Sequence, residues 1–450
     1  MSWFGKITLF NKLRDIWSIE DLRIRITNTL MFILIYRLGT FIILPGIDSE
    51  QLSAVSTSAE GLVKIINMFT GGAFEKASIF ALGIMPYISA SIVIQLLSMA
   101  LPYFQRLQKE GESGRKKINQ YTRFLTVVIT LFQAPSYIAA QVHPSARLDN
   151  SVMWMAECTL ILIAGTMFIM WLGERITDKG LGNGISLIIM VGIIADLPFS
   201  AVTEFVARWG KGGGLVMLLI ELVALLLVVI VTILLVQGTR KIPVQFAKKI
   251  VGNKQYGGVR NYIPLKVNQA GVMPIIFAQA IMFIPITLAG FSSSDANWFT
   301  LTFSTHTGFL YNFTFALLIV VFTYFYTAIM INPNQMADEM KRNGGFIPGV
   351  KPGKKTAEYI DEVMSRITLP GSIFLAFVAI LPAVAEVFLG VSTGFARFYG
   401  GTSLLILVGV VLDTLQQVES HLLMRHYDGL MKSGRIKGRT SVGMTSTATY

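Results

Sequence analysis

Long apolar runs, separated by short segments rich in polar residues, glycine and proline, set the pattern of this chain. A helix needs about 20 mostly apolar residues to cross the hydrocarbon core of a bilayer. Ten runs approach or reach that length: 26–44, 79–101, 124–141, 152–172, 182–198, 214–237, 270–290, 309–331, 369–389 and 402–424. The sixth is the cleanest, interrupted only by Glu221, and the fifth is short and glycine-rich. The pattern predicts an all-α polytopic membrane protein with ten transmembrane helices. Met1 to Arg25 is polar, aromatic and charged without a short apolar core, so the first run is expected to stay as a span.

Composition agrees with the pattern. Of 450 residues, 53% are hydrophobic and 14% charged, and the mean hydropathy is +0.60. A soluble chain carries roughly 25% charged residues. Disorder needs low hydrophobicity and high charge, so it is excluded. Cys158 is the only cysteine, which excludes a disulfide framework within the chain. Four histidines and one cysteine supply few ligands for a metal centre, and no cofactor is expected.

Lysine and arginine orient the spans. With both termini in the cytoplasm, the inner segments hold 31 of the 38 basic residues and the outer segments 6, with Arg37 inside the first span. That asymmetry is a strong positive-inside signal. The net charge of +12 is therefore mainly topological, with attraction to anionic membrane lipids, and no direct DNA binding is expected. Two inner loops, 238–269 and 332–368, exceed the two to eight residues that join packed helices. They are rich in glycine, proline and basic residues, and suit a docking platform for something acidic or large.

Gly83-Ile84-Met85-Pro86 in the second run matches Gly271-Val272-Met273-Pro274 in the seventh. A repeat offset by five spans must be inverted in the membrane, and inverted repeats point to a pathway at their interface. Between the first two runs, Leu62 to Phe69 is apolar but too short to cross, and ends at the breaker Gly71-Gly72. It suits a re-entrant element, or equally an interfacial helix.

Enzymatic signatures are poor. The chain has no H-E-x-x-H, G-x-S-x-G or Walker A pattern. His143, His306, His421 and His426 read as ordinary loop or interfacial residues. Charges inside the runs are Arg37, Glu157, Glu221 and Asp413. An ion-driven transporter places ionisable groups near the midplane, and Asp413 is the best such group. The competing reading is a buried pair of Asp413 with Arg37 that only fixes packing.

Several long stretches resemble the bacterial SecY family: NMFTGGAFEKASIFALGIMPYISASIVIQLL (67–97), KEGESGRKKINQYTR (109–123), TMFIMWLGERITDKGLGNGISLII (166–189), PLKVNQAGVMP (264–274), NPNQMADEMKRNGGFIPGVKPGKKTAEYID (332–361) and FYGGTSLLILVGVVLD (398–413). The resemblance runs from about residue 20 to residue 440. It implies a protein-conducting channel, not an enzyme, that passes unfolded polypeptides across the bacterial plasma membrane and releases spans sideways into lipid. The implied organisation is a cytoplasmic segment 1–25, a five-helix half 26–198 with a plug at 62–78, an inverted half 199–424 and a cytoplasmic tail 425–450.

The resemblance also assigns residues. The pore ring falls on Ile84, Ile88, Ile185, Ile189, Ile276 and Ile406. The plug includes Leu62, Ile65, Ile66, Met68, Phe69, Gly71 and Gly72. The lateral gate, between spans two and three and spans seven and eight, includes Ser89, Ser91, Gln95, Asn183 and Gln279. Docking of the ribosome and the SecA motor falls on Arg240, Lys248, Lys249, Lys254 and Lys351. Implied partners are SecE, SecG, SecA, the ribosome, YidC-like insertion factors, signal sequences and nascent polypeptides. Two stretches depart from the family pattern. Lys351 stands in Gly349-Val350-Lys351-Pro352-Gly353 where an arginine is frequent, and Asn253-Lys254 replaces a frequent arginine pair. Lysine keeps the charge but lacks the planar, bidentate fork. The rival readings are an ion-coupled secondary transporter of a small solute and a purely structural scaffold.

Overall fold

The computed structural model describes residues 17, 19–48, 70–142, 144–147, 149, 151–209, 214–246, 249–251, 254–256, 260–279, 281–282 and 307–432. Helices dominate: α1 (Glu20–Gly39), α2 (Met85–Ala100), α3 (Pro102–Lys109), α4 (Glu112–Gln141), α5 (Val152–Lys179), α6 (Gly184–Trp209) and α7 (Gly214–Gln237). After β1 to β4 come α8 (Phe309–Met330), α9 (Pro333–Arg342), α10 (Lys354–Val384), the short α11 (Thr393–Ala396) and α12 (Gly401–Lys432). Among the described residues, six helical stretches are long and apolar enough to cross a membrane. A seventh is counted if α2 and α3 form one span bent by 101°.

The outward faces are apolar as well as the core. On α7, Leu219, Leu222, Leu226 and Ile230 are all exposed, which in water would be an aggregation surface and in a bilayer is ordinary lipid contact. Inside, small residues let helix backbones approach. A Cβ at Gly184 would fall 2.0 Å from the carbonyl oxygen of Gly173, so only glycine brings the start of α6 this close to α5.

The second run does not become helical at 79. Residues 70–84 form successive turns, and α2 starts only at Met85, with Pro86 in its first turn. Gly83 takes φ +54°, and a Cβ there would meet the Thr70 side chain at 2.9 Å. The turns are tied to the end of α1 by Leu44 N–H donating to Ala77 and Ile79 N–H donating to Ile42, both at 2.9 Å. These cross-links, which join residues over thirty positions apart, override the local apolar signal. The helix breaks again at the extended Leu101 before Pro102.

The inner loop 238–269 corrects the expectation of helices alone. It forms β1 (Thr239–Phe246), β2 (Lys249–Val251), β3 (Lys254–Tyr256) and β4 (Arg260–Lys266). β1 pairs antiparallel with β4, and also with β5 (Gly345–Phe346) from the second long loop. The two loops therefore share one three-stranded sheet of order β4-β1-β5, while β2 and β3 form a separate hairpin. Ile242, Val244 and Leu265 bury one face of that sheet against Met340, Ile347, Ile360 and Met364. Alternation of exposed and buried residues along Lys241, Ile242, Pro243 and Val244 is what a one-sided sheet requires.

Candidate functional site

Five of the six ring isoleucines converge. Ile84, Ile189 and Ile406 are buried in one apolar cluster with Tyr36, Phe80, Leu172 and Phe398, and Ile88 and Ile185 pack against it. Their positions follow from local structure. Ile84 ends the turn segment, Ile88 lies one turn into α2, Ile185 and Ile189 open α6, and Ile406 lies in the second turn of α12. Residues four apart on a helix share a face, so each pair points one way. Ile276, half-buried on the helical stretch 273–279, is not in that cluster, although Val272 just before the stretch packs against it. Such an apolar constriction excludes water by dewetting and makes no directional bond to what passes.

Of the plug residues, Leu62, Ile65, Ile66, Met68 and Phe69 lie outside the described residues, and Gly71 and Gly72 are described. Arg37 Nη1 donates to the Gly71 carbonyl at 2.9 Å, and the Tyr36 hydroxyl reaches the Thr70 carbonyl at 3.4 Å. From α4, the Tyr137 hydroxyl donates to the Phe74 carbonyl at 2.6 Å. A Cβ at Gly71 would sit 2.7 Å from Arg37 Nη1 and 3.1 Å from Gly192 Cα. The segment is thus wedged between α1 and α6, with donors aimed at its buried carbonyls. The expected pairing of Arg37 with Asp413 is not formed. Arg37 is spent on Gly71, and exposed Asp413 accepts from the Gln417 amide at 3.3 Å.

Between α2 and α8, the Tyr326 hydroxyl donates to Gln95 Oε1 at 3.1 Å. Phe277 stacks on Phe322 of α8, with ring centroids 5.7 Å apart. Ser89 donates back to the Met85 carbonyl within its own helix, Ser91 is half-buried, and Gln279 is half-buried beyond Phe277. Asn183 lies elsewhere: its Oδ1 accepts from the N–H groups of Ile185 and Ser186 and caps α6. Tyr326 escaped the sequence reading because an aromatic residue in an apolar run carries no polar signal.

A second polar cluster was visible only as the isolated Glu221. Arg208 of α6 ion-pairs with Glu204 at 2.9 Å and with Glu221 of α7 at 2.6 Å. It also donates to the carbonyls of Leu389 and Gly390, at 3.0 and 2.6 Å. Glu204 Oε2 accepts from Ser392 N–H at 2.8 Å, and the Tyr399 hydroxyl donates to the Glu221 carbonyl at 2.8 Å. One arginine thereby joins α6, α7 and the 389–399 connection. The sequence signal was there: a lone acid in an apolar span demands a partner.

On the loop side, Arg240 starts β1, Lys249 and Lys254 lie on β2 and β3, and Lys351 is exposed before α10; Lys248 lies outside the described residues. Groups of three or more histidine, cysteine or acidic side chains able to hold a metal ion are absent among the described residues.

Comparison with known proteins bears on this arrangement. The SecY family model matches residues 78–415. The chain belongs to the SecY family. It is 42% identical to the protein translocase subunit SecY of Streptomyces galbus over 435 residues, covering 92% of this chain and 97% of that one. The SecY of Thermotoga maritima is 38% identical, with 96% and 100% covered. That of Vibrio cholerae is 41% identical, with 94% and 96% covered. Among solved structures, a protein-conducting channel superposes with a TM-score of 0.62 at 15% identity, covering 88% of this chain and 92% of its own. The Sec61 channel of a canine ribosome–channel complex gives 0.59 at 14% identity, again covering 88% and 92%. At such identities these last two speak for the fold, which is that of SecY-type channels. The family membership sets aside the ion-coupled transporter, and the structure leaves Asp413 of α12 exposed rather than enclosed in a binding site.

Proposed function

We propose that this chain is the central channel subunit of a Sec translocon in a bacterial plasma membrane, conducting unfolded polypeptides and releasing apolar segments sideways into lipid. The observation that carries the reading is the convergence of Ile84, Ile88, Ile185, Ile189 and Ile406 from three separate elements on one apolar cluster, in a chain of this family. The ten spans form two inverted halves, with both termini in the cytoplasm, in keeping with the 31 to 6 distribution of basic residues. Ile276 joins the ring from the second half.

In this reading the turns 70–84 are the anchored base of a plug, and Arg37 holds that base at Gly71 while the channel rests. A signal sequence enters between α2 and α8. That seam carries the Tyr326–Gln95 hydrogen bond, and interhelical bonds of this kind average only about 0.6 kcal/mol in membranes. An apolar helix can therefore replace it. The cluster at Arg208 holds the outer side, where α6 and α7 meet, as the hinge. The shared sheet of the two long loops receives the ribosome or SecA, which supply the driving force. SecE, SecG and YidC-like factors complete the assembly. The ribosome is the partner with outside support, since relatives of this fold are seen in ribosome-bound complexes.

The test is import of a preprotein into liposomes holding the purified chain with its small subunits and SecA. A photocrosslinker at position 88 or 276 should capture the arrested polypeptide, whereas one at lipid-facing Leu226 should not. Import without capture at either ring position would refute the assignment of the pore.

A further inference from the structure

A cavity of about 520 Å³ opens between the start of β1 and one face of α10. Its lining includes Arg240 on β1 and Tyr359, Glu362, Arg366 and Pro370 on α10. Arg240 lies on the same face of β1 as buried Ile242 and Val244, which turns it toward α10. It carries no ion pair among the described residues. Arg366 pairs with Glu362 at 2.5 Å, but both side chains are largely exposed, so the pair is weak and open to exchange. Two guanidinium groups against one carboxylate leave the cavity net positive.

Its depth is the second observation. Thr239 follows directly on the apolar helix α7, and Pro370 opens the apolar part of α10. The cavity therefore sits at headgroup level. Below it, the α10 face that carries Glu362 and Arg366 continues through Leu369, Ile373 and Phe377, which are 53%, 56% and 56% exposed. A charged cavity at the interface, with an exposed apolar stripe descending from it, matches a phosphate with its acyl chains.

We infer that this cavity binds the headgroup of an anionic phospholipid, with Arg240 and Arg366 on the phosphate and an acyl chain along Ile373 and Phe377. Planar guanidinium forks suit phosphate oxygens. Nothing in this inference depends on how the pore itself works.

The test uses the full-length chain in nanodiscs of mixed phosphatidylglycerol and phosphatidylcholine, released for native mass spectrometry. The native chain should retain phosphatidylglycerol in preference to phosphatidylcholine. Losing two basic contacts near an anionic headgroup should lower that preference by roughly thirtyfold in R240Q/R366Q. K241Q removes the same charge from the neighbouring, outward-facing position of β1 and should leave the preference intact, as should the melting temperature of both variants. Equal loss in K241Q and R240Q/R366Q, or none in either, would overturn the site. Inorganic phosphate at millimolar concentration that strips the lipid would make the ligand a free anion and overturn the lipid assignment. A photocrosslinker at 366 that captures polypeptide rather than lipid in native membranes would assign the cavity to a protein partner instead.

Discussion

Replacing Arg208 with methionine should destabilise the fold more than any other single change in the outer cluster. Arg208 faces Glu204 and Glu221, whose relative exposures are 3% and 1%. Methionine fills much of the volume but leaves two carboxylates buried together without a cation, and two carbonyls, of Leu389 and Gly390, without their donor. Breaking a buried ion pair by removing one partner costs about 3–5 kcal/mol. Most of that cost is the stranded charge, so it should vanish when the charge does. The triple variant E204Q/R208M/E221Q should therefore recover more than half of what R208M loses. Equilibrium unfolding of the purified chain in mixed micelles of rising SDS content, followed by tryptophan fluorescence, measures both. If R208M costs less than about 1 kcal/mol, as an exposed pair would, or if the triple variant is no more stable than R208M, the cluster is not the electrostatic joint described here.

Other outcomes follow from single contacts. Tyr326→Phe removes the hydroxyl that bridges to Gln95, and should raise the open fraction of the α2–α8 seam about threefold, read by disulfide capture between cysteines placed on the two helices. Ile406→Asn, and separately Ile84→Asn, should wet the apolar cluster, raise ion leak in planar bilayers and admit preproteins with defective signal sequences. Unchanged leak in both would count against the ring. Gly165→Ala forces a methyl to within 2.1 Å of the Ile79 carbonyl oxygen, so α5 must move off the turn segment at a cost of about 1–3 kcal/mol, seen as a lower melting temperature. Ile242→Asp buries an unpaired carboxylate under the shared sheet and should weaken ribosome binding without altering ion leak, measured by co-sedimentation and conductance.

What the sequence disclosed, and what it withheld, divides along a physical line. Apolar runs long enough to cross a bilayer announce themselves, because lipid contact asks only for hydrophobicity over a fixed length; α5 to α8 lie where the runs put them. Backbone shape is another matter. Residues 79–84 look like the start of a helix, yet Gly83 at positive φ and the ties from Ile42 and Leu44 hold them in turns. Ends were missed in the other direction too. α4 and α10 start about a dozen residues before their apolar runs, because a helix outside the membrane needs no hydrophobic signal to continue. Long-range pairing was invisible: β1 joins β5 across about a hundred residues, and no local pattern in either loop names its partner. Polar partners were half legible. Glu221 in an apolar run demanded a cation, but Arg37 and Asp413, which looked like candidates for each other, each found nearer acceptors and donors.

The reach of α10 gives the molecule a mechanical property. This helix begins under the three-stranded sheet that both long loops share, and its π-helical end, 385–389, is gripped by Arg208 at the opposite face of the membrane. At 31 residues it is a strut of about 46 Å. A load applied to the loop tips is thus delivered, along one continuous rod, to the joint between α6 and α7. Pushing on the protein from one compartment flexes it at the other.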